Sequence, residues 1–236
     1  MRISLDLHVH SAASHDGRMS LDDIVSAAKA AGLQGVAVTD HDAAPPNPPL
    51  LGDFLMIPGC EFSTEYGHLL GLFLCRPVEK QPFPALVEAI HAQGGLAVLA
   101  HPFEHSRDPA RIEAIVPLLD GAEVWNGRAE RKIRDANALA RQFAQTHGLR
   151  PFAGSDAHLK EEIGNGVMTL EVPELTLEAV KNALLTVPAE IRGRRGSSLC
   201  VARSQFTRLQ KRRAAPAAYA KWLLFAGKCA AEDLIK

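Results

Sequence analysis

Two short motifs set pairs of potential metal ligands side by side: His8-Val9-His10 and Asp156-Ala157-His158. Each follows an apolar run with strand character, and side chains two apart on a strand face the same way, so both members of a pair can reach one ion. A lone His-x-His is weak evidence, because such pairs also occur as ordinary surface or core residues. Here His41, His68 and His101 also stand at or beside the ends of apolar runs, as do Asp16, Asp40 and Glu61. Buried without partners, such groups would each cost roughly several kcal/mol. Divalent ions would neutralise them, so metal binding is the economical explanation.

The elements that must carry these residues alternate in type. Apolar runs at 3–7, 35–39, 54–57, 69–74, 96–100, 122–125 and 151–153 read as strands, and segments at 21–31, 84–93, 109–116, 128–147 and 176–186 as helices. Ser20, followed by Asp22 and Asp23, is a helix start with Gly32 as its stop. Strands interleaved with helices predict a parallel α/β fold, either a barrel or an open doubly wound sheet. Nearly every strand leads at its C-terminal side into His, Asp or Glu, the edge where such folds place active sites. The proline-rich stretch 43–49 reads as a loop beside that edge.

The 236 residues are 47% hydrophobic, enough for one barrel-sized domain and a small appendage. With 26 basic and 27 acidic side chains, no whole-molecule field draws the chain to nucleic acid or an anionic membrane. From Ile191 to Arg213, however, Arg192, Arg194, Arg195, Arg203, Arg208, Lys211, Arg212 and Arg213 occur with no acid among them. The chain therefore divides into a barrel at 1–190 and a basic extension at 191–236. In the extension, Trp222, Leu223, Leu224 and Phe225 suit an amphipathic helix packed on or near the barrel. The four cysteines are dispersed, with no Cys-x-x-Cys pair, which argues against a thiolate zinc site and suits a reducing compartment. The start MRISLDLHVH lacks a signal-peptide core, and no run approaches the roughly 18 apolar residues of a membrane span. A cytoplasmic protein with no membrane partner is expected.

Six motifs follow one another: DLHVHSAASHDG (6–17), VTDHD (38–42), GCEFST (59–64), GHLLGL (67–72), AHPF (100–103) and GSDAH (154–158). In that order they resemble the motifs of the PHP (polymerase and histidinol phosphatase) phosphoesterases, across residues 2 to about 172. The resemblance implies a distorted (β/α)7 barrel, here with a small basic C-terminal helical extension. Its mouth would hold two or three divalent ions of zinc, manganese or iron. Carried over residue by residue, His8 and His10 would share one ion with Glu61 and Asp156. Glu61 would bridge to a second held by His68 and His101, while Asp16, His41 and His158 would hold a third. Family members differ in whether the ligand after His10 lies five or six residues on, which is His15 or Asp16 here. A carboxylate ahead of Gly17 favours Asp16, and His15 stays open.

The implied activity is hydrolysis of a small phosphorylated metabolite, nucleotides included. Two ions can neutralise the phosphate oxygens and lower the pKa of water. Glu61, Asp156 and His158 form the expected catalytic set, with Asp156 or His158 passing a proton to the leaving alkoxide. Substrate contacts are expected from His105, Asn126, Arg128 and Arg131, the arginine fork being suited to phosphate. Helix capping explains Asn126 equally well. A nuclease with the same ions is the alternative, its basic extension gripping the backbone. Nucleic acid is the less favoured partner, since few aromatics interleave the charges. A non-catalytic regulatory metal module is disfavoured because every expected ligand position is filled, and hydrolysis of amides would use similar water activation.

Overall fold

The computed structural model describes residues 1–45, 50–51 and 53–235, so residues 46–49 of the expected proline-rich loop lie outside the described residues. The strands are β1 (Arg2–Val9), β2 (Gly35–Val38), β3 (Leu50–Leu51), β4 (Phe54–Thr64), β5 (Gly67–Leu72), β6 (Leu96–Leu99), β7 (Gly121–Asn126), β8 (Arg150–Gly154), β9 (Gly166–Glu171) and β10 (Glu190–Gly193). They form one sheet in the order β10-β9-β1-β2-β4-β5-β6-β7-β8, with β3 paired to β4. The sheet curls until Val9 bridges Ala157, just beyond β8. His10 N–H donates to the Ala157 carbonyl across that seam at 2.8 Å. The distorted α/β barrel anticipated from the sequence is the fold that forms.

The distortion has a local cause. The β4–β5 connection is a two-residue hairpin, too short for the crossover that a parallel return requires. Thus β5 runs antiparallel to both β4 and β6, and β4 extends well past the expected 54–57. Strands β9 and β10 are also antiparallel to their neighbours, and β10 carries a weak sequence signal because it lies at the sheet edge with mostly exposed residues.

The helices are α1 (Leu21–Ala30), α2 (Phe83–His91), α3 (Ala110–Glu113), α4 (Ala136–His147), α5 (Leu177–Thr186), α6 (Ser198–Lys211) and α7 (Pro216–Leu234). The start of α1 is as expected: the Ser20 hydroxyl accepts from Asp23 N–H, and the Asp23 carboxylate accepts from Ser20 N–H. The single helix expected at 128–147 breaks into a short 3-10 turn at Ala129–Arg131 followed by α4. Asn126 caps the 3-10 turn, its Oδ1 accepting from the backbone N–H groups of both Arg128 and Ala129. The expected helix at 109–116 is likewise reduced to α3 and a 3-10 turn at Val116–Leu118.

Register in β1 decides which way the first histidines point. Ile3, Leu5 and Leu7 belong to the central apolar cluster, whereas Val9, of the same parity, packs with Ile24 and Ala28 of α1. The pairing of β1 with β2 is irregular between Asp6 and Val9, and this switch of faces turns His8 and His10 inward. Gly154 lets β8 pass close behind them. A Cβ there would stand 2.3 Å from that of His8.

Helices α6 and α7 form a hairpin against the barrel. Trp222 Nε1 donates to the Ala202 carbonyl at 2.7 Å, and the Phe206 ring packs on Trp222. Leu223 and Leu224 instead face outward, 63% and 79% exposed, so only part of the expected apolar stretch packs. Among the described residues no helix is long and apolar enough to cross a membrane.

Candidate metal centre

The ends of β1, β2, β4, β6 and β8, with the start of β5, bring nine predicted residues into one cluster. Among the described residues four groups have ligand atoms mutually within 4.8 Å: His8, His10 and Asp156; Glu61, His68 and His101; His10, His41 and His158; and His15, Asp16 and His41. His8 Nε2 and His10 Nε2 lie 3.1 Å apart, aimed at a common point. Glu61 is the hub. Its Oε1 is 2.9 Å from His68 Nδ1 and 3.0 Å from His101 Nε2, and its Oε2 is 2.8 Å from His41 Nδ1, 3.4 Å from His10 and 3.5 Å from His8.

Whether these residues suit divalent ions can be tested on the atoms themselves. Among the described residues Glu61 Oε2 and Asp16 Oδ1 are buried with no hydrogen-bond partner, although imidazole nitrogens surround both. Nitrogen and oxygen donors facing one another without hydrogen-bond geometry are a donor set awaiting a cation. The ions fit.

Outer contacts set the imidazole orientations. His8 Nδ1 is 3.1 Å from Glu123 Oε1 and His10 Nδ1 is 2.9 Å from Ser14 Oγ, leaving each Nε2 toward the centre. His158 Nδ1 lies 2.9 Å from the Asp156 carbonyl, an acceptor only, so that nitrogen carries the hydrogen and Nε2 offers its lone pair. Asp6, buried behind His8, accepts from Ser155 N–H and Gly164 N–H at 2.8 Å each and so ties β1 to the loop after β8. His101 and Asp156 sit in the left-handed backbone region at φ 24° and 57°, uncommon for residues other than glycine and most often retained where function requires it.

The electrostatics reflect the same crowding. Burial opposes a charge on His101, but its hydrogen bond to Glu61 and the charges of Glu104, Glu61 and Asp156 outweigh that and carry its pKa to about 10. Burial alone would raise Glu61, yet His8, His68 and His41 hold it well below the usual carboxylate range. His10 is driven well below its ordinary value by burial and by the neighbouring His158 and His41.

Asp16 turns into the cluster, its Oδ1 3.2 Å from His158 Nε2, while His15 lies at the rim, 43% exposed, with its ring 4.7 Å from that of His41. Above the cluster opens a cleft of about 290 Å³ whose walls include His105, Arg131, Lys132, Glu104 and Arg208. Of the expected substrate contacts, His105 and Arg131 line it. Asn126 does not: it is 1% exposed, and its side chain donates to Glu123 and caps the turn at Arg128 and Ala129. Arg128 borders the cleft, but its fork is taken up by Glu162, with Nη2 to Oε2 at 2.6 Å and Nε to Oε1 at 2.7 Å. Glu162 also accepts from the backbone N–H groups of His158 and Leu159, so this buried pair holds the loop bearing a candidate ligand. Glu162→Ala should destabilise the fold by about 3–5 kcal/mol, since it strands a buried guanidinium. Urea unfolding would show it as a lower midpoint at unchanged m-value.

Ser14, Glu104 and Glu162 escaped sequence reading. Ser14 lies inside the first motif, but nothing local marks its hydroxyl as the group that orients His10.

A nearly closed α/β barrel with a histidine- and carboxylate-lined, ion-ready mouth defines the class. Residues 134–186 match the PHP-associated (PHP_C) family model. The uncharacterized protein MJ0417 of Methanocaldococcus jannaschii is 30% identical over 187 residues, 75% of this chain and 73% of that protein. Among solved structures, a two-domain protein from Bacteroides vulgatus containing a predicted PHP-like metal-dependent phosphoesterase aligns with a TM-score of 0.65 at 18% identity, over 88% of this chain and 70% of that one. The lesion-specific endonuclease PfuEndoQ of Pyrococcus furiosus aligns at 0.59 and 18% identity, over 81% of this chain and 58% of that one. The chain belongs to the PHP domain family.

Proposed function

We propose that the protein is a metal-dependent hydrolase of phosphoesters, acting on a small phosphorylated metabolite or nucleotide. The observation that carries this is the buried Glu61 carboxylate, one oxygen unpartnered and both ringed by imidazoles. When bound, divalent ions (zinc, manganese or iron) supply Lewis acidity and lower the pKa of water. His8, His10, Glu61, Asp156, His68 and His101 would hold two, with Asp16, His41 and His158 holding a third more weakly.

The chain's own residues then position and protonate. Asp156 and His158 stand where the cluster opens to the cleft, and we assign proton delivery to the leaving alkoxide to one of the two, Asp156 or His158. Arg131 and His105 face the ester from the walls. The cleft volume suits a small ligand, being at the low end for ligand pockets. The structurally similar two-domain protein from Bacteroides vulgatus contains a predicted PHP-like metal-dependent phosphoesterase, which agrees with this reading.

One observation favours a second reading. A groove of about 530 Å³ between α6 and α7, walled by Arg208, Arg212, Lys221, Trp222 and Phe225, shares Gln205 and Arg208 with the cleft. Cationic and aromatic side chains in one groove suit a nucleic-acid strand, and the endonuclease from Pyrococcus shares the fold.

The discriminating experiment strips the protein of metal, reloads it with Mn(II), Zn(II) or Fe(II), and assays an aryl phosphate monoester, an aryl diester, a single-stranded oligonucleotide and an anilide. Metal-dependent turnover of the small esters is expected. Cleavage of the oligonucleotide with steep salt dependence would shift the assignment to a nuclease, and turnover of the anilide alone would overturn the phosphoester reading.

A further inference from the structure

The loop after β1 carries Ser14, His15 and Asp16, yet it is anchored from the far end of the chain. Lys211, the last residue of α6, places its Nζ 2.7 Å from the Ala12 carbonyl and 2.6 Å from the Ser14 carbonyl. Those two acceptors flank Ala13 and close the turn from which Asp16 enters the cluster. Ser14 is itself a junction, its hydroxyl meeting His10 Nδ1 at 2.9 Å and accepting from His41 N–H at 3.0 Å. Lys211 thus acts on Asp16 through the loop backbone and on His41 through Ser14, whose hydroxyl accepts from His41 N–H, without touching a ligand atom.

The lysine has little freedom to wander. Helix α6 is fixed to the barrel by Ser204, which accepts from Arg128 Nη1 at 3.2 Å, and by Arg203, which pairs with Glu161 at 2.8 Å. It is fixed to α7 by the Trp222 contact with Ala202.

We propose that Lys211 is a positioning residue for the Asp16–His41–His158 position, so that the C-terminal hairpin sets the affinity of the most weakly held ion. This rests on the metal-dependent reading above. The sign of the effect separates positioning from simple charge. A lysine near a cation site repels the cation, so removing its charge alone would tighten binding. Removing an anchor that orients a ligand loop weakens binding, by about 10- to 100-fold for outer-shell contacts of this kind.

The test titrates the metal-free full-length protein with Mn(II) by calorimetry, comparing wild type, Lys211→Met and Lys211→Arg. The proposal expects Lys211→Met to weaken only the lowest-affinity site, by about 10- to 100-fold, with the tighter sites within about 2-fold. Lys211→Arg, whose guanidinium can still reach two carbonyls, should recover most of the loss. Unchanged or tightened binding at the weakest site, equal loss at every site, or no recovery with arginine would overturn the proposal. Wild-type protein with two tight sites and no weaker one would overturn it while sparing the metal reading; wild type that binds no Mn(II), Zn(II) or Fe(II) would overturn both.

Discussion

Protein carrying His8→Ala and His10→Ala together should come out of purification without its most tightly held ion and with turnover at background. Both imidazoles are fully buried, and their Nε2 atoms converge at 3.1 Å, so the double change removes half of one ion's expected donors and opens a void beside Glu61 and Asp156. The loss should exceed the roughly 10- to 100-fold associated with outer-shell partners, because these side chains would bind the ion itself. Stability gives an independent readout. Wild type at an ion concentration of 100 times Kd gains about 2.7 kcal/mol from binding, a gain the variant should lack. Metal content measured by mass spectrometry decides the matter, and a variant retaining a full complement of ions would sink the ligand assignment.

Glu61→Gln should be nearly as damaging while barely changing shape. The amide keeps the volume but loses the charge that five imidazoles face, and with it the bridge between two expected ion positions. Transition-state stabilisation by paired ions amounts to several kcal/mol, and each 1.4 kcal/mol is tenfold, so turnover should fall on the order of 10³-fold. The metal-free protein offers a second signature. His101 is raised to about 10 against the opposing effect of burial, and the bond to Glu61 is the largest contribution raising it. With glutamine in place that contribution is lost, leaving Glu104 and Asp156 alone against burial, and the His101 pKa should move down. An NMR titration of the metal-free variant showing His101 unmoved would mean that Glu61 is not the hub described.

How much of this was legible beforehand differs from residue to residue. His8 and His10 were readable as a same-face pair because strand geometry guarantees that much. Their inward direction was not, since it depends on the register irregularity between Asp6 and Val9 in the pairing with β2. Strand ends announced Glu61, His101 and Asp156, whereas the antiparallel course of β5 follows from a two-residue turn hidden in the gap between the expected strands at 54–57 and 69–74. Asn126 had two readings of equal weight from sequence, and its bonds to Arg128 and Ala129 favour capping. Arg128 read as a phosphate contact because arginine suits phosphate; its partner Glu162 lies 34 residues on, beyond the reach of any local pattern. Lys211 is more distant still, at 197 residues from Ser14.

The seam at which Val9 meets Ala157 also bears on how the molecule reaches this state. Ser155 N–H bonds Asp6 across 149 residues, and the Ser4 hydroxyl meets that of Thr169 across 165. Contacts so remote in sequence form late, because the entropy of closing the intervening chain must be overcome before they contribute. A nascent chain grown just past β1 carries His8 and His10 but none of the opposing carboxylates. The donor cluster is thus expected to come into being only as the ring closes, and ions captured there would act as a clasp on an already ordered barrel rather than as a nucleus around which it condenses.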